Sequence, residues 1–288
     1  MTEQPVRDPL AFDALLTSSW ALYRRNWTVS LPLFIALAIV IAALVVYFAV
    51  FFAVALATPS NSTVSPGMLT GFIISYIILI AVLIAASVWA YTATFGMAAA
   101  AWERGTASFA DGNAAFRSRG GAFIVACIGL FGVAIVALIL ALPTLLISML
   151  AMLLFTMYVM PAVVAGGRGG FEAIGESFRL VRRFFLPSLI TCVVLYGISY
   201  GISLIGAIPI VPLELSVMPT TGQTTLHVPP ISLIVLGGLG YIVTIVLSLA
   251  YTGFYAIAIV GMYRLLVAQP PLPASTPPAP FTSPPAAA

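Results

Sequence analysis

The sequence predicts an all-α integral membrane protein with about six transmembrane helices, arranged as three pseudo-repeats of an interfacial helix plus a helical hairpin. Three observations predict it. Six long apolar windows contain no ionisable acid or base, the arginines are confined to alternate joining segments, and one pre-span segment recurs along the chain. Composition agrees: of 288 residues, 62% are hydrophobic and 7% charged, with a mean hydropathy of +1.16. A soluble domain carries roughly 25% charged residues, so this chain has too little polar surface to face water.

A spanning helix needs about 20 mostly apolar residues. The windows run over residues 31–56, 69–97, 186–210 and 231–259, and the block 122–165 is long enough for two spans, with Pro143 near the fold-back. None contains Asp, Glu, Lys, Arg or His. The strands of a membrane barrel alternate apolar and polar residues with period two. The run IALAIVIAALVVYFAVFFAVALA does not alternate, so helices are expected. The apolar start is longer than the core of a secretory leader, and the N-terminus is expected to be retained.

The joining segments fall into two classes. Residues 58–67 and 211–230 are rich in Pro, Thr and Ser and lack Arg, and the turn near Pro143 is also uncharged. Every basic residue is an Arg, and all lie in the other class: Arg7, Arg24 and Arg25 before span one; Arg104, Arg117 and Arg119 between spans two and three; Arg168, Arg179, Arg182 and Arg183 between spans four and five; Arg264 after span six. The positive-inside rule places these segments, and both termini, in the cytoplasm. An odd number of spans would put some Arg outside or carry one through the bilayer, at about 2.5–3.5 kcal/mol.

The stretch SWALYRRNW at 19–27 aligns without gaps to SFRLVRRFF at 177–185, each directly before an odd-numbered span. A weaker copy, SFADGNAAFRSRG at 108–120, sets Arg117 opposite Arg182 and Cys127 opposite Cys192. Phe12, Leu16, Trp20, Tyr23 and Trp27 recur at helical spacing, as do Phe171, Ile174, Phe178, Val181 and Phe185. Asp8-Pro9 suits a helix start. Aromatics on one side with arginine near the end describe a helix lying in the membrane interface. The alternative is an amphipathic helix packed on a soluble domain, and no such domain is legible here. The membrane-interface basic residues are therefore Arg24, Arg25, Arg117, Arg119, Arg182 and Arg183. Residues 1–28 form a cytoplasmic N-terminus with an interfacial helix, 29–267 the six-helix domain, and 268–288 a proline-rich disordered tail.

Little in the chain supports catalysis. The single histidine, His227, and Glu214 share an outer loop, and a lone His and Glu do not close a metal site. There is no Gly-rich phosphate loop; Gly166, Gly167, Gly169 and Gly170 around Arg168 read as a flexible hinge. No metalloprotease or nucleophile-elbow motif and no acidic pair within a span is present. No cofactor, no metal and no catalytic residue is expected, and a net charge of +3 gives no reason to expect nucleic acid. Cys127 and Cys192 read as buried thiols. Asn61-Ser62-Thr63 matches a glycosylation pattern, accidental in a bacterial protein. Within the spans, Ser, Thr and Tyr of spans two, five and six either bond between helices or line a solute path. Gly197, Gly201, Gly237, Gly238 and Gly240 favour close helix contact. Pro161 is placed to kink span four or shape its end.

Residues 160–164 (MPAVV), a short Gly-rich link and 171–185 (FEAIGESFRLVRRFF) resemble a signature of a bacterial six-span family, and the closing stretch 251–266 is also similar. That family includes the membrane domain attached to some glycerophosphodiester phosphodiesterases and many stand-alone proteins. The resemblance implies a membrane-domain fold. The phosphodiesterase barrel has no counterpart in this sequence, and Gly166 and Gly167 stand where relatives often carry an acid. The function expected is a non-catalytic module of the bacterial inner membrane that binds or organises lipids or a partner protein. The alternative is a transporter or facilitator of an uncharged or amphipathic solute.

Overall fold

The computed structural model describes residues 12–57, 66–141, 143–144, 147–209, 211–212 and 230–269. The tail 270–288, Arg7, the Asp8-Pro9 start, the Asn61 motif and the loop holding Glu214 and His227 lie outside the described residues. In chain order the helices are α1 (Phe12–Arg25), a 3-10 turn (Trp27–Ser30), α2 (Leu31–Ala57), α3 (Pro66–Arg104), α4 (Phe109–Ala141), α5 (Ile147–Thr156), α6 (Val159–Val164), α7 (Gly170–Arg183), α8 (Phe185–Ala207) and α9 (Ile231–Ala268). Six helical stretches are long and apolar enough to cross a membrane, with α5 and α6 together making the fourth. No strand occurs among the described residues.

Prolines set the breaks. A helical proline lacks the N–H that would bond four residues back, and its ring crowds that carbonyl. Pro161 stands four residues after Met157, and the fourth span is interrupted at Met157–Tyr158. Pro187 stands four residues after Arg183, where α7 ends, and Pro32 stands four after Thr28 in the 3-10 turn. The connecting residues Asn26 (φ −125°, ψ 42°) and Phe184 (φ −123°, ψ 53°) take nearly the same backbone conformation. These are aligned positions of the recurring segment, and α1 and α7 are each 14 residues long.

The middle copy departs from the expected pattern of three separate interfacial helices. Residues 109–120 are the first turns of an uninterrupted α4 that runs on to Ala141. No proline follows the segment, so nothing breaks the hydrogen-bond ladder.

The core sits at one end of the bundle, beyond most of the apolar length. There the C-terminal turn of α3 (Ala98, Ala101), the α5–α6 junction (Tyr158, Val159, Val163) and the end of α9 (Ile257, Ile259, Met262) are almost wholly buried. The apolar stretches towards the other end are largely exposed, as on Val45, Ile77, Leu138, Val193 and Val243, and lipid is their natural solvent. Three amphipathic segments wrap the core. α1 packs on α9, the first turns of α4 pack on α3, and α7 packs on α4 and α6.

The buried faces of α1 and α7 match the predicted apolar ones only in part: Val181 is fully buried and Phe12, Leu16, Tyr23 and Ile174 pack on the core. Leu15 and Ser19 of α1 and Ala173, Glu176, Ser177 and Leu180 of α7 point inward, while Trp20, Trp27 and Phe171 are more than half exposed. Small side chains let the helices approach, and the large rings face the lipid interface.

Candidate functional site

Side-chain bonds tie every described arginine-bearing segment into one layer at the packed end. The Asn26 amide donates to the carbonyls of Leu22 (3.0 Å) and Gly105 (3.1 Å), and its oxygen accepts the Ala107 N–H (2.7 Å). Asn26 thereby fixes the end of α1 to the α3–α4 turn, where Gly105 takes the left-handed conformation (φ 77°) that closes α3. Trp102 donates to the Ile257 carbonyl (2.7 Å), and Arg264 pairs with Glu103, joining α3 to α9. Arg119 donates to the Gly167 carbonyl (3.1 Å), joining α4 to the α6–α7 turn.

Sequence reasoning missed Glu176, a carboxylate only 7% exposed. It pairs with Arg168 at 2.6 Å and Arg179 at 3.5 Å and accepts the Tyr263 hydroxyl at 2.9 Å. A buried charge is costly unless paired and hydrogen-bonded, and here both conditions hold. The available signal was its spacing: Glu176 lies three residues after Ala173 and four before Leu180, on the inward face of α7.

The glycines around Arg168, read as a flexible hinge, form a close-packed turn. An added Cβ at Gly166 would overlap the Tyr263 hydroxyl, and at Gly170 it would lie 2.6 Å from the Ala126 nitrogen and 2.7 Å from the Ala122 carbonyl of α4. Gly167 adopts φ 67°. The Gly169 N–H donates to Glu172 at 3.2 Å, capping α7. Glycine is needed for close approach rather than for motion.

The six interface arginines separate from the rest by their partners. Arg104, Arg168, Arg179 and Arg264 are ion-paired to Asp111, Glu176 and Glu103. Arg119 is spent on a backbone carbonyl, and Arg183 stacks 4.8 Å from the Phe184 ring centre. Arg24, Arg25, Arg117 and Arg182 are exposed and face no carboxylate within ion-pair distance among the described residues.

Close helix contact falls at only part of the expected glycines. An added Cβ at Gly197, Gly201 or Gly238 would meet nothing within 4 Å. Among the described residues no neighbour approaches either glycine of that GxxxG, whose face is turned outward. Gly240 packs on Pro209, Gly237 is buried, and Gly206 packs on Thr244.

The hydroxyls of the spans are largely committed to backbone. Thr92, Thr156, Thr191, Ser203, Thr244 and Thr252 each donate to the carbonyl four residues back in their own helix. Tyr251 donates across to the Leu195 carbonyl, and Tyr158 donates to Ser188 at 3.2 Å. Both cysteines are free thiols, Cys192 buried and Cys127 half-buried. Among the described residues no three of His, Cys, Asp or Glu gather as a metal site.

Two apolar clefts open on the lipid-facing surface. One, of about 570 Å³, lies between α1, α8 and α9, and the other, of about 400 Å³, between α2 and α3. No protein-family model, curated protein or solved structure matches the chain.

Proposed function

We propose that this chain is a non-catalytic module of the bacterial inner membrane, both termini cytoplasmic, that binds anionic lipid at a collar of arginines and presents that surface to a partner protein. One observation carries the reading: Arg24, Arg25, Arg117 and Arg182 lie exposed at the packed end of the bundle, without acidic partners among the described residues. Guanidinium groups flanking apolar spans attract anionic headgroups, by about 1 kcal/mol per basic residue. The confinement of the described arginines to that layer supports the cytoplasmic orientation through the positive-inside rule. The alternative, a path for an uncharged solute, draws less support, because Thr92, Thr191, Thr244 and Thr252 are bonded to carbonyls of their own helices.

The test replaces these four arginines with Gln and leaves the ion-paired ones intact. Full-length chain is purified in mild detergent from mixed phosphatidylcholine and phosphatidylglycerol membranes, and the retained lipid is measured. Retained phosphatidylglycerol should fall strongly while the chain stays monodisperse. Equal retention by parent and variant refutes the collar.

A further inference from the structure

The collar arginines differ in what lies beside them: Arg117 lines an open cleft at the start of α4, and of the two lipid-facing apolar clefts one is bordered by α1, the helix that carries Arg24. The cleft between α2 and α3 is lined by residues such as Ala43, Val46 and Leu79, with no charged group. The cleft between α1, α8 and α9 is lined on the α1 side by Thr17 and Trp20 and on the span side by Ile198, Leu247, Tyr251 and Phe254. Residues three and four apart share a helix face, so Thr17 and Trp20 put Arg24 on the side of α1 that borders this cleft, one turn beyond Trp20. Asp13 occupies the same side at the opposite end of α1 and makes no ion pair among the described residues. Trp20 is 53% exposed, stacks edge-on against Phe254 at 5.9 Å, and has no hydrogen-bond partner for its indole N–H among the described residues.

We propose that this cleft is a specific lipid site. One acyl chain of an anionic phospholipid lies along Ile198, Leu247 and Phe254, and its phosphate is held by Arg24 and the Trp20 indole N–H. The proposal rests on the collar reading and narrows it to one pocket. Three physical arguments support it. The cleft opens among exposed apolar side chains of two spans, so hydrocarbon rather than water fills it. Its volume of about 570 Å³ accommodates an alkyl chain. Trp20 lines its mouth, and Arg24 follows one turn on along α1, neither with a partner for its N–H groups among the described residues; an indole N–H and a guanidinium are donors a phosphodiester takes. Tyr251, bonded to the Leu195 carbonyl, holds α8 to α9 and keeps the floor rigid.

The experiment places full-length chain in phosphatidylcholine nanodiscs doped with phosphatidylglycerol bearing a photoactivatable acyl chain. Labelled peptides are mapped after irradiation. Labelling should concentrate on the α8 and α9 peptides that line the cleft. It should fall about five-fold in Arg24→Gln, and fall comparably in Leu247→Trp and Ile198→Trp, which fill the cleft from lipid-exposed positions. An equivalent phosphatidylcholine probe should label these peptides weakly. Equal labelling by both probes means annular lipid only and overturns the proposal. Labelling elsewhere with phosphatidylglycerol still retained overturns the pocket and leaves the collar standing. Loss of any anionic preference removes both.

Discussion

Gly166 offers the sharpest test of the buried polar cluster. Substituting alanine there places a methyl group on the Tyr263 hydroxyl, 3.0 Å from the Tyr263 Cζ and 2.7 Å from the Ala162 carbonyl. Tyr263 is 3% exposed, so its ring has little room to retreat. Two costs follow. Overpacking costs about 1–3 kcal/mol. Displacing the hydroxyl breaks its bond to the Glu176 carboxylate, and a hydrogen bond to a charged group contributes about 1.5–3 kcal/mol. Arg168 and Arg179 still partner the carboxylate, so the lower half of that range applies. Tyr263→Phe removes the same bond and also the atom that clashes. Gly166→Ala should therefore cost much less in the Tyr263→Phe background than in the parent, with a coupling of about 1.5–2 kcal/mol or more. Thermal unfolding of the four proteins of the cycle in one detergent measures this. Equal cost of Gly166→Ala in both backgrounds would refute the role assigned to the hydroxyl and leave only the backbone clash with Ala162.

Two further outcomes follow from the same geometry. Gly170→Ala should loosen α7 from α4, because the new methyl meets α4 backbone at 2.6–2.7 Å, whereas Gly175→Ala, with nothing within 4 Å, should stabilise α7 by about 0.5–1 kcal/mol; proteolytic protection of the α6–α7 turn reads both, and similar effects at the two sites would contradict the packing. Asn26→Ala strands the Gly105 carbonyl and the Ala107 N–H and should cost about 1–3 kcal/mol in thermal stability, while Asn26→Asp keeps the acceptor for Ala107 but sets a buried carboxylate against the Leu22 and Gly105 carbonyls and should cost at least as much at neutral pH; a nearly neutral Asn26→Asp would show that the two donated bonds do not matter.

The spans were legible because each is an uncharged apolar run whose ends are marked by arginine, proline or polar loop residues. The fold-back near Pro143 falls where α4 ends at Ala141 and α5 begins at Ile147. The break in the fourth span was legible only as an option at Pro161, since a proline states where a carbonyl loses its donor but not whether the helix bends or stops. The continuity of α4 was hidden by similarity: residues 108–120 look like the segments before α2 and α8, and what distinguishes them is a missing proline downstream. The faces of α1 and α7 were assigned by hydrophobicity, and that signal splits: Val181 points inward, whereas Trp20, Trp27 and Phe171 face outward. Ser19, Ala173 and Ser177 are inward because they are small. The Glu176 cluster depended on residues far apart in sequence, Arg168 and Tyr263, and no local pattern brings α7 to the end of α9.

The order in which the amphipathic segments dock explains why the described arginines gather in one layer. The first turns of α4 lie on α3, the helix just before them: Gly96 faces Ala115, and Trp89 donates to Asn113 at 3.0 Å. α7 lies on the preceding α5–α6 span, where the Ser177 hydroxyl donates to the Phe155 carbonyl at 2.7 Å and accepts the Tyr158 N–H at 3.2 Å. α1 precedes all six spans and instead lies on the last, its Trp20 and Tyr23 rings 5.9 and 6.1 Å from the Phe254 ring. The three segments pack against the buried ends of α3, α6 and α9. In this arrangement α1 docks only once α9 is in place, while the other two segments dock on helices already made. The arginines terminate or interrupt these segments, so their docking gathers charges scattered over more than 150 residues of sequence at one rim of the bundle, where four of them meet acids. A rim built this way depends on α9 as much as on the arginines themselves, because Phe254 seats α1 and Arg264 pairs with Glu103 beside it.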